Sequence, residues 1–303
     1  MRTLSFAILI FLLMAFIHGC QTLNAVTNVG ADILASTGTI SSEQAVSIKR
    51  TSKAASQAFE KFTPENEYYI GRTIAANILN RYKVYDNREA TEYLNLIGQT
   101  MAAASDKPET FNGYHFLILD TDEINAFAAP GGFILVSRGL MRCCKNEDAL
   151  SAVLAHEVGH VQLDHGMGAI KSSRYTSLGK IVGVEIAKNM GNEMLAQAAE
   201  VFDGTIGDIM KELVDKGYQS SQEYDADIAA VTIMKRVGYN PPALKNMLEE
   251  MDKRLGQNSG GFGKTHPTPQ KRLENIGPYL EGFVVVVIPN ARKARFNKVM
   301  AGI

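Results

Sequence analysis

Cysteine is scarce. The 303-residue chain carries three, at positions 20, 143 and 144, with no C-x-x-C spacing. That excludes a disulfide framework and a ribbon-type zinc site. A bridge between the adjacent Cys143 and Cys144 would be strained, so they read as two small helix residues ahead of the next amphipathic segment. Charge of one sign is not in excess either. The net charge is −1, which gives no global electrostatic reason to expect nucleic acid as a partner, and none is expected. No segment repeats at a period of about 30–45 residues, so no helical-repeat array is appended. Long hydrophobic runs are absent too. The apolar stretch Leu4–Ile17 spans 14 residues, interrupted only by Ser5, short of the about 20 that a membrane-spanning helix needs.

That stretch instead has the form of a secretory signal, with Arg2 ahead of it and the small-residue end Ile17-His18-Gly19-Cys20 behind it. The end resembles a bacterial lipobox, although His18 is an unusual occupant of its slot. The expectation is a signal peptide over 1–19, lipidation at Cys20, and a lipidated N-terminus and tether over 20–60. Lipid chains anchor a protein durably, at ~0.8 kcal/mol per buried methylene. Gln21 rather than Asp follows the cysteine. By resemblance to bacterial sorting rules this implies a periplasmic protein held at the outer membrane.

The whole chain has 46% hydrophobic and 21% charged residues, ordinary for a folded soluble protein, and 61–303 is expected to form the main domain. Thr63-Pro64-Glu65-Asn66-Glu67 starts a helix running to about Arg81, and a second helix covers about Arg88 to Ala104. Tyr114–Leu119 is strand-like. Asn125–Ser137 reads as two short strands around Pro130-Gly131-Gly132. Asn146-Glu147-Asp148 opens a helix expected to continue to about His165. Further helices are expected within 170–217, over Gln219–Val237, Pro242–Leu255 and Pro269–Ile276, with a last strand at Phe283–Ile288. The fold class is α+β, mainly helical, with a small sheet.

His156-Glu157-Val158-Gly159-His160 matches H-E-x-x-H. Residues i and i+4 share one helix face, so both imidazoles can reach one Zn²⁺, while Glu157 can act as general base toward a water. A catalytic zinc needs a third protein donor. His165 lies about 180° round a continuous helix from His156. Val161-Gln162-Leu163-Asp164 has no glycine to break that helix, so His165 reads as a helix-end histidine and not a ligand. Glu223 and Asp227 offer a second i, i+4 pair. One can ligate and the other can hold a ligating imidazole; spacing alone does not choose between them.

Together these motifs resemble the HtpX-like and CAAX-prenyl-protease-type zinc metallopeptidases, family 48 of the metallopeptidases, and especially their periplasmic, outer-membrane-associated quality-control members. The resemblance covers roughly residues 60–280. It rests on Pro64–Glu67, Asn125–Gly139, Glu147-Asp148 leading into His156–His160, Glu223–Asp227, and Thr265-His266-Pro267 with Arg272. It implies a zincin-like domain with the small sheet beside the H-E-x-x-H helix. It also implies one Zn²⁺ per subunit, Glu223 as third ligand and Asp227 supporting a histidine.

His266, after the glycine-rich Gly260–Gly263 loop, is left with two roles: oxyanion donor, or fourth zinc ligand that holds the enzyme latent under a lid. Arg272 would pair with Glu223, Asp227 or substrate. The strand residues Asn125, Ala126, Phe127 and Ala128 are expected to bind an extended substrate along a sheet edge. The expected activity is zinc-dependent hydrolysis of unfolded or misassembled envelope proteins, in contact with outer-membrane assembly machinery. The alternative is a chaperone or assembly factor whose zinc is structural or latent.

Overall fold

The computed structural model describes residues 20–59, 62–172, 211–255, 266–283 and 285–303. The expected signal at 1–19, most of the 170–217 helices, the Gly260–Gly263 loop and Thr265 lie outside them. The chain divides into two compact units, 1–61 with 170–206 and 62–169 with 207–303. In the first, α1 (Cys20–Ser36) packs on α2 (Ser42–Phe59). The segment expected as a tether leading into a polar helix is thus helical in both of its parts. No described helix is long and apolar enough to cross a membrane.

The second unit begins with α3 (Pro64–Arg81). Its start is a reciprocal cap: Thr63 Oγ1 accepts from the Asn66 amide, and Asn66 Oδ1 accepts from the Thr63 amide, both at 3.1 Å. Next come α4 (Arg88–Ala103), β1 (His115–Leu119), β2 (Ala126–Ala129) and β3 (Phe133–Ser137), with a single 3₁₀ turn at Pro130–Gly132 between the last two. The sheet order is β1-β3-β2, parallel between β1 and β3 and antiparallel between β2 and β3. Hence β2 is an edge strand.

The short α5 (Arg138–Met141) leads to α6 (Glu147–Gln162), which carries the H-E-x-x-H motif. Cys143 and Cys144 sit in the turn between them rather than in a helix, buried and free. After a π-helical turn at Lys211–Lys216 come α7 (Ser220–Arg236), α8 (Pro242–Leu255), α9 (Pro269–Ile276) and α10 (Asn290–Met300).

Helix α6 is buried almost all round, as expected of a helix surrounded by other elements. It packs on α4, α7, α8 and β2. Gly159 lets α7 come close: a Cβ there would stand 3.0 Å from the Ala226 carbonyl oxygen. The crossing point thus lies inside both site motifs.

Two expectations fail for physical reasons, and one helix appears that was not expected. Helix α6 ends at Gln162, not His165. Asp164 adopts φ 53°, a left-handed conformation that Asp tolerates better than most residues, and a new helix starts at His165. Phe283–Ile288 forms no ladder among the described residues. β-branched residues need a partner strand. Here the Asn240 side chain takes that place, accepting from the Val286 amide at 2.7 Å and donating to its carbonyl at 2.9 Å. Helix α10 was not foreseen. It is held by Arg292 against Asp148, at 3.3 Å, and by Arg295 against Glu147.

Those two acids form the first turn of α6, where the helix dipole favours negative charge. The Glu147 carboxylate is buried and accepts from Tyr93 Oη at 2.9 Å, Tyr239 Oη at 2.8 Å and the Arg295 guanidinium. Burial raises its pKa, but those donors outweigh it and hold the pKa below the ordinary value of 4.5. A carboxylate with a depressed folded pKa stabilises the fold above its unfolded pKa and loses that contribution as pH falls. Glu147→Gln is therefore expected to cost about 2–3 kcal/mol at pH 7 by urea denaturation. The difference from wild type should be flat from about pH 6 to 8 and shrink below about 4.5. Equal stability at pH 7 would contradict this role.

Candidate metal centre

On α6, His156 and His160 project from one face, with Nε2 atoms 3.1 Å apart and rings nearly perpendicular, at 86°. Glu223 enters from α7. Its Oε2 lies 3.5 Å from His156 Nε2, and its Oε1 lies 3.4 Å from His160 Nε2. His266, just ahead of α9, brings Nδ1 to 2.8 Å from Glu223 Oε2. One donor atom each from His156, Glu223 and His266 falls within 4.8 Å of the others, a spacing that can hold a metal ion. His160 Nε2 joins the same cluster through its short distances to His156 and Glu223.

One turn along α7, Asp227 faces the other side of His156. Its Oδ1 is 2.9 Å from His156 Nδ1, and its two oxygens accept from Arg272 at 2.6 and 2.9 Å. Arg272 Nη2 also stands 3.1 Å from His156 Nδ1. The two acids of the i, i+4 pair are thus separated, Glu223 on the Nε2 side and Asp227 on the Nδ1 side.

All of these groups are buried except His266, which is half-buried. Glu223 and Asp227 have no exposed surface, Arg272 keeps 2%, and Glu157 keeps 3%. Three carboxylates face one guanidinium, an arrangement costly in a low-dielectric interior. Burial pushes the Glu223 carboxyl up, but His266, His156 and His160 hold it well below the usual carboxylate range. Asp227 is likewise lowered against its burial, by Arg272 and His156. Burial and Arg272 oppose a proton on His156, yet Asp227 and Glu223 outweigh them and lift it to about 9. His160 goes the other way, with burial pushing it down.

The surplus negative charge that draws a proton to His156 is equally suited to a divalent cation. The fit shows in the geometry as well. Among the described residues neither Glu223 oxygen has an aligned hydrogen-bond donor, despite the close imidazole nitrogens. Buried carboxylate lone pairs left without a donor, among close imidazole nitrogens, suit a shared cation.

Two neighbours escaped the sequence reading. His165 is buried, with Nδ1 2.8 Å from His160 Nδ1. Burial, then repulsion by His160 and His156, pushes its pKa down to about 4. The rejection of His165 rested on a continuous helix, and the break at Asp164 removes that premise. Tyr218 stacks on the His160 ring, with centroids 4.0 Å apart and planes 14° apart. Its hydroxyl donates to the Ala128 carbonyl at 2.7 Å. Burial, then Glu157 and Glu223, pushes the phenol pKa up. No motif flagged Tyr218, which follows a long interval in the sequence.

The strand residues Asn125, Ala126, Phe127 and Ala128 are all buried. Asn125 exchanges with Ser137 on β3. By antiparallel alternation, the backbone groups of Ala126 and Ala128 point to the free edge. That edge lines a small cavity shared with Glu157, His266 and Tyr218. The Ala126 amide is taken by Asn125 Oδ1 at 3.0 Å, and the Ala128 carbonyl by Tyr218. Cys20, the first described residue, begins α1 in the other unit.

The chain is similar to several known proteases. The beta-barrel assembly-enhancing protease of Yersinia pestis is 27% identical over 229 residues, covering 74% of this chain and 45% of that protein. The protein of the same name from Escherichia coli K12 is 29% identical over 190 residues, covering 60% of this chain and 37% of that protein. The mitochondrial metalloendopeptidase OMA1 of Schizosaccharomyces pombe is 32% identical over 162 residues, 52% of this chain and 43% of that protein. The chain spans less than half the length of these curated relatives. The model of Peptidase family M48 matches residues 88–279, well over half of the sequence and every residue of the cluster. The chain belongs to peptidase family M48.

Proposed function

We propose that this chain is a zinc-dependent endopeptidase acting on unfolded or misassembled envelope proteins. The observation that carries the reading is the convergence of His156, His160 and Glu223 on one buried point, with Glu157 lining the adjoining cavity. These three would hold one Zn²⁺. The chemistry such an ion supplies is Lewis acidity, a more acidic water and a polarised carbonyl.

The chain's own residues supply the rest. Glu157 takes the proton of the attacking water and delivers it to the leaving amine. Asp227, itself gripped by Arg272, orients His156 through Nδ1 and keeps its Nε2 directed at the cluster. A buried general base beside the donors favours a peptidase over a chaperone with structural zinc, which needs no such base.

Substrate would bind by strand addition along β2, using the outward backbone groups of Ala126 and Ala128, flanked by Asn125 and Phe127. Backbone pairing asks little of side-chain identity, which suits unfolded chains. Tyr218 must first give up the Ala128 carbonyl. His266 stands among the donors, 2.8 Å from Glu223. That position favours a fourth donor that holds the site closed over an oxyanion partner.

The relatives' names tie them to β-barrel assembly. With the N-terminal signal features, this supports a periplasmic protein lipidated at Cys20, held at the outer membrane and working beside the assembly machinery there.

Cleavage of casein by the zinc-loaded protein tests the reading. Cleavage should stop on chelation, return with zinc, and fall about 10²–10⁴-fold in Glu157→Gln. His266→Ala is expected to cleave faster than wild type, because it opens a donor position. Slower cleavage by His266→Ala would restore the oxyanion role. Zinc binding without cleavage by wild type or His266→Ala, across several unfolded substrates, would contradict the peptidase and favour the chaperone.

A further inference from the structure

His165 has no part in the chemistry above, yet its ring is buried against the site. Its Nδ1 lies 2.8 Å from His160 Nδ1. Two imidazole nitrogens at that distance share one proton, so one donates and the other accepts. The opposite nitrogen of His160, Nε2, faces His156 Nε2 at 3.1 Å and Glu223 Oε1 at 3.4 Å. A nitrogen that binds metal must present a lone pair, which places the His160 proton on Nδ1.

We propose that His165 is a positioning residue that fixes the tautomer of His160, accepting its Nδ1–H and leaving the Nε2 lone pair directed at the cluster. This inference rests on reading His160 as a metal donor.

The fold delivers His165 by an unusual route. An uninterrupted α6 would carry it to the far side of the helix. Instead the backbone reverses at Asp164, with φ 53°, and His165 turns back toward the residue five before it. The reversal is held from outside. Lys107 Nζ bonds Asp164 Oδ1 at 2.7 Å and Glu67 Oε2 at 2.9 Å. The Asp164 carbonyl accepts from the Gly168 amide at 2.8 Å, starting the next helix. Tyr218 stacks on a face of the His160 ring, whose Nδ1 edge meets His165, and braces it.

The two motif histidines are therefore supported differently. His156 rests on the Asp227–Arg272 ion pair, and His160 on a neutral imidazole. The chain has built a separate device for each.

Zinc affinity by chelator competition, on wild type, His165→Phe and His165→Asn, tests this. Phe keeps the bulk but not the acceptor; Asn Oδ1 can stand in for Nδ1. The Phe variant is expected to bind zinc about 10–100-fold more weakly than wild type. The Asn variant should stay within about threefold of it. Nitrogen NMR of the zinc-loaded wild type should show a proton on His160 Nδ1 and none on His165 Nδ1, a readout that needs no variant to fold. Wild-type affinity in His165→Phe, an Asn variant as weak as Phe, or a proton on His165 Nδ1 overturns the inference while the metal site stands. Failure of the wild type to bind zinc overturns the metal-site reading and this inference with it.

Discussion

The buried carboxylate of Glu223 is the constraint around which the second unit is arranged. It has no exposed surface and three imidazole nitrogens within 3.5 Å. An isolated charge in such a place is prohibitive, so its surroundings must be cationic or able to hold a cation. Arg272 is already committed to Asp227. What remains is a pocket of lone pairs with a surplus of negative charge, the electrostatic description of a divalent metal site. The close α6–α7 crossing at Gly159 and Ala226 is the backbone condition for it. A Cβ at position 159 would crowd the α7 backbone at Ala226, in the turn between Glu223 and Asp227.

Precision at such a site depends on what holds its elements still. Helix α6 is fixed at both ends by charges that do no chemistry. At its start, Glu147 and Asp148 engage Tyr93, Tyr239, Asn240, Arg292 and Arg295. At its end, Lys107 holds the reversal at Asp164. The imidazoles lie between two anchored ends, on the side of the helix that meets α7 and β2. Tyr218 covers the β2 edge at Ala128, so the ring stacked on His160 also occupies the edge on which we propose that a peptide is read.

The elements legible in the sequence were those specified locally. Thr63-Pro64 with Asn66 announces a helix start, and the H-E-x-x-H and E-x-x-x-D spacings put like residues on one helix face, as found. What escaped depended on distant partners. Asp164 breaks the helix with the help of Lys107, 57 residues earlier, and no rule that looks only for glycine finds it. Phe283–Ile288 has strand propensity, but Asn240 rather than a strand meets its backbone. Helix α10 shows itself only once its arginines are seen to answer the acids at the start of α6. The occupation of Ala128 by Tyr218 is a tertiary contact with no local trace.

The central claim is that the point between His156, His160 and Glu223 is a metal centre made of nitrogen and oxygen donors. X-ray absorption at the zinc edge, on the protein loaded to equivalence, tests it most directly. The account predicts one zinc per chain, with nitrogen and oxygen neighbours at ~2.0–2.1 Å, the multiple-scattering signature of imidazole, and loss of the bound ion in Glu223→Ala. Sulfur neighbours at ~2.3 Å, or zinc retained undiminished without Glu223, would contradict it.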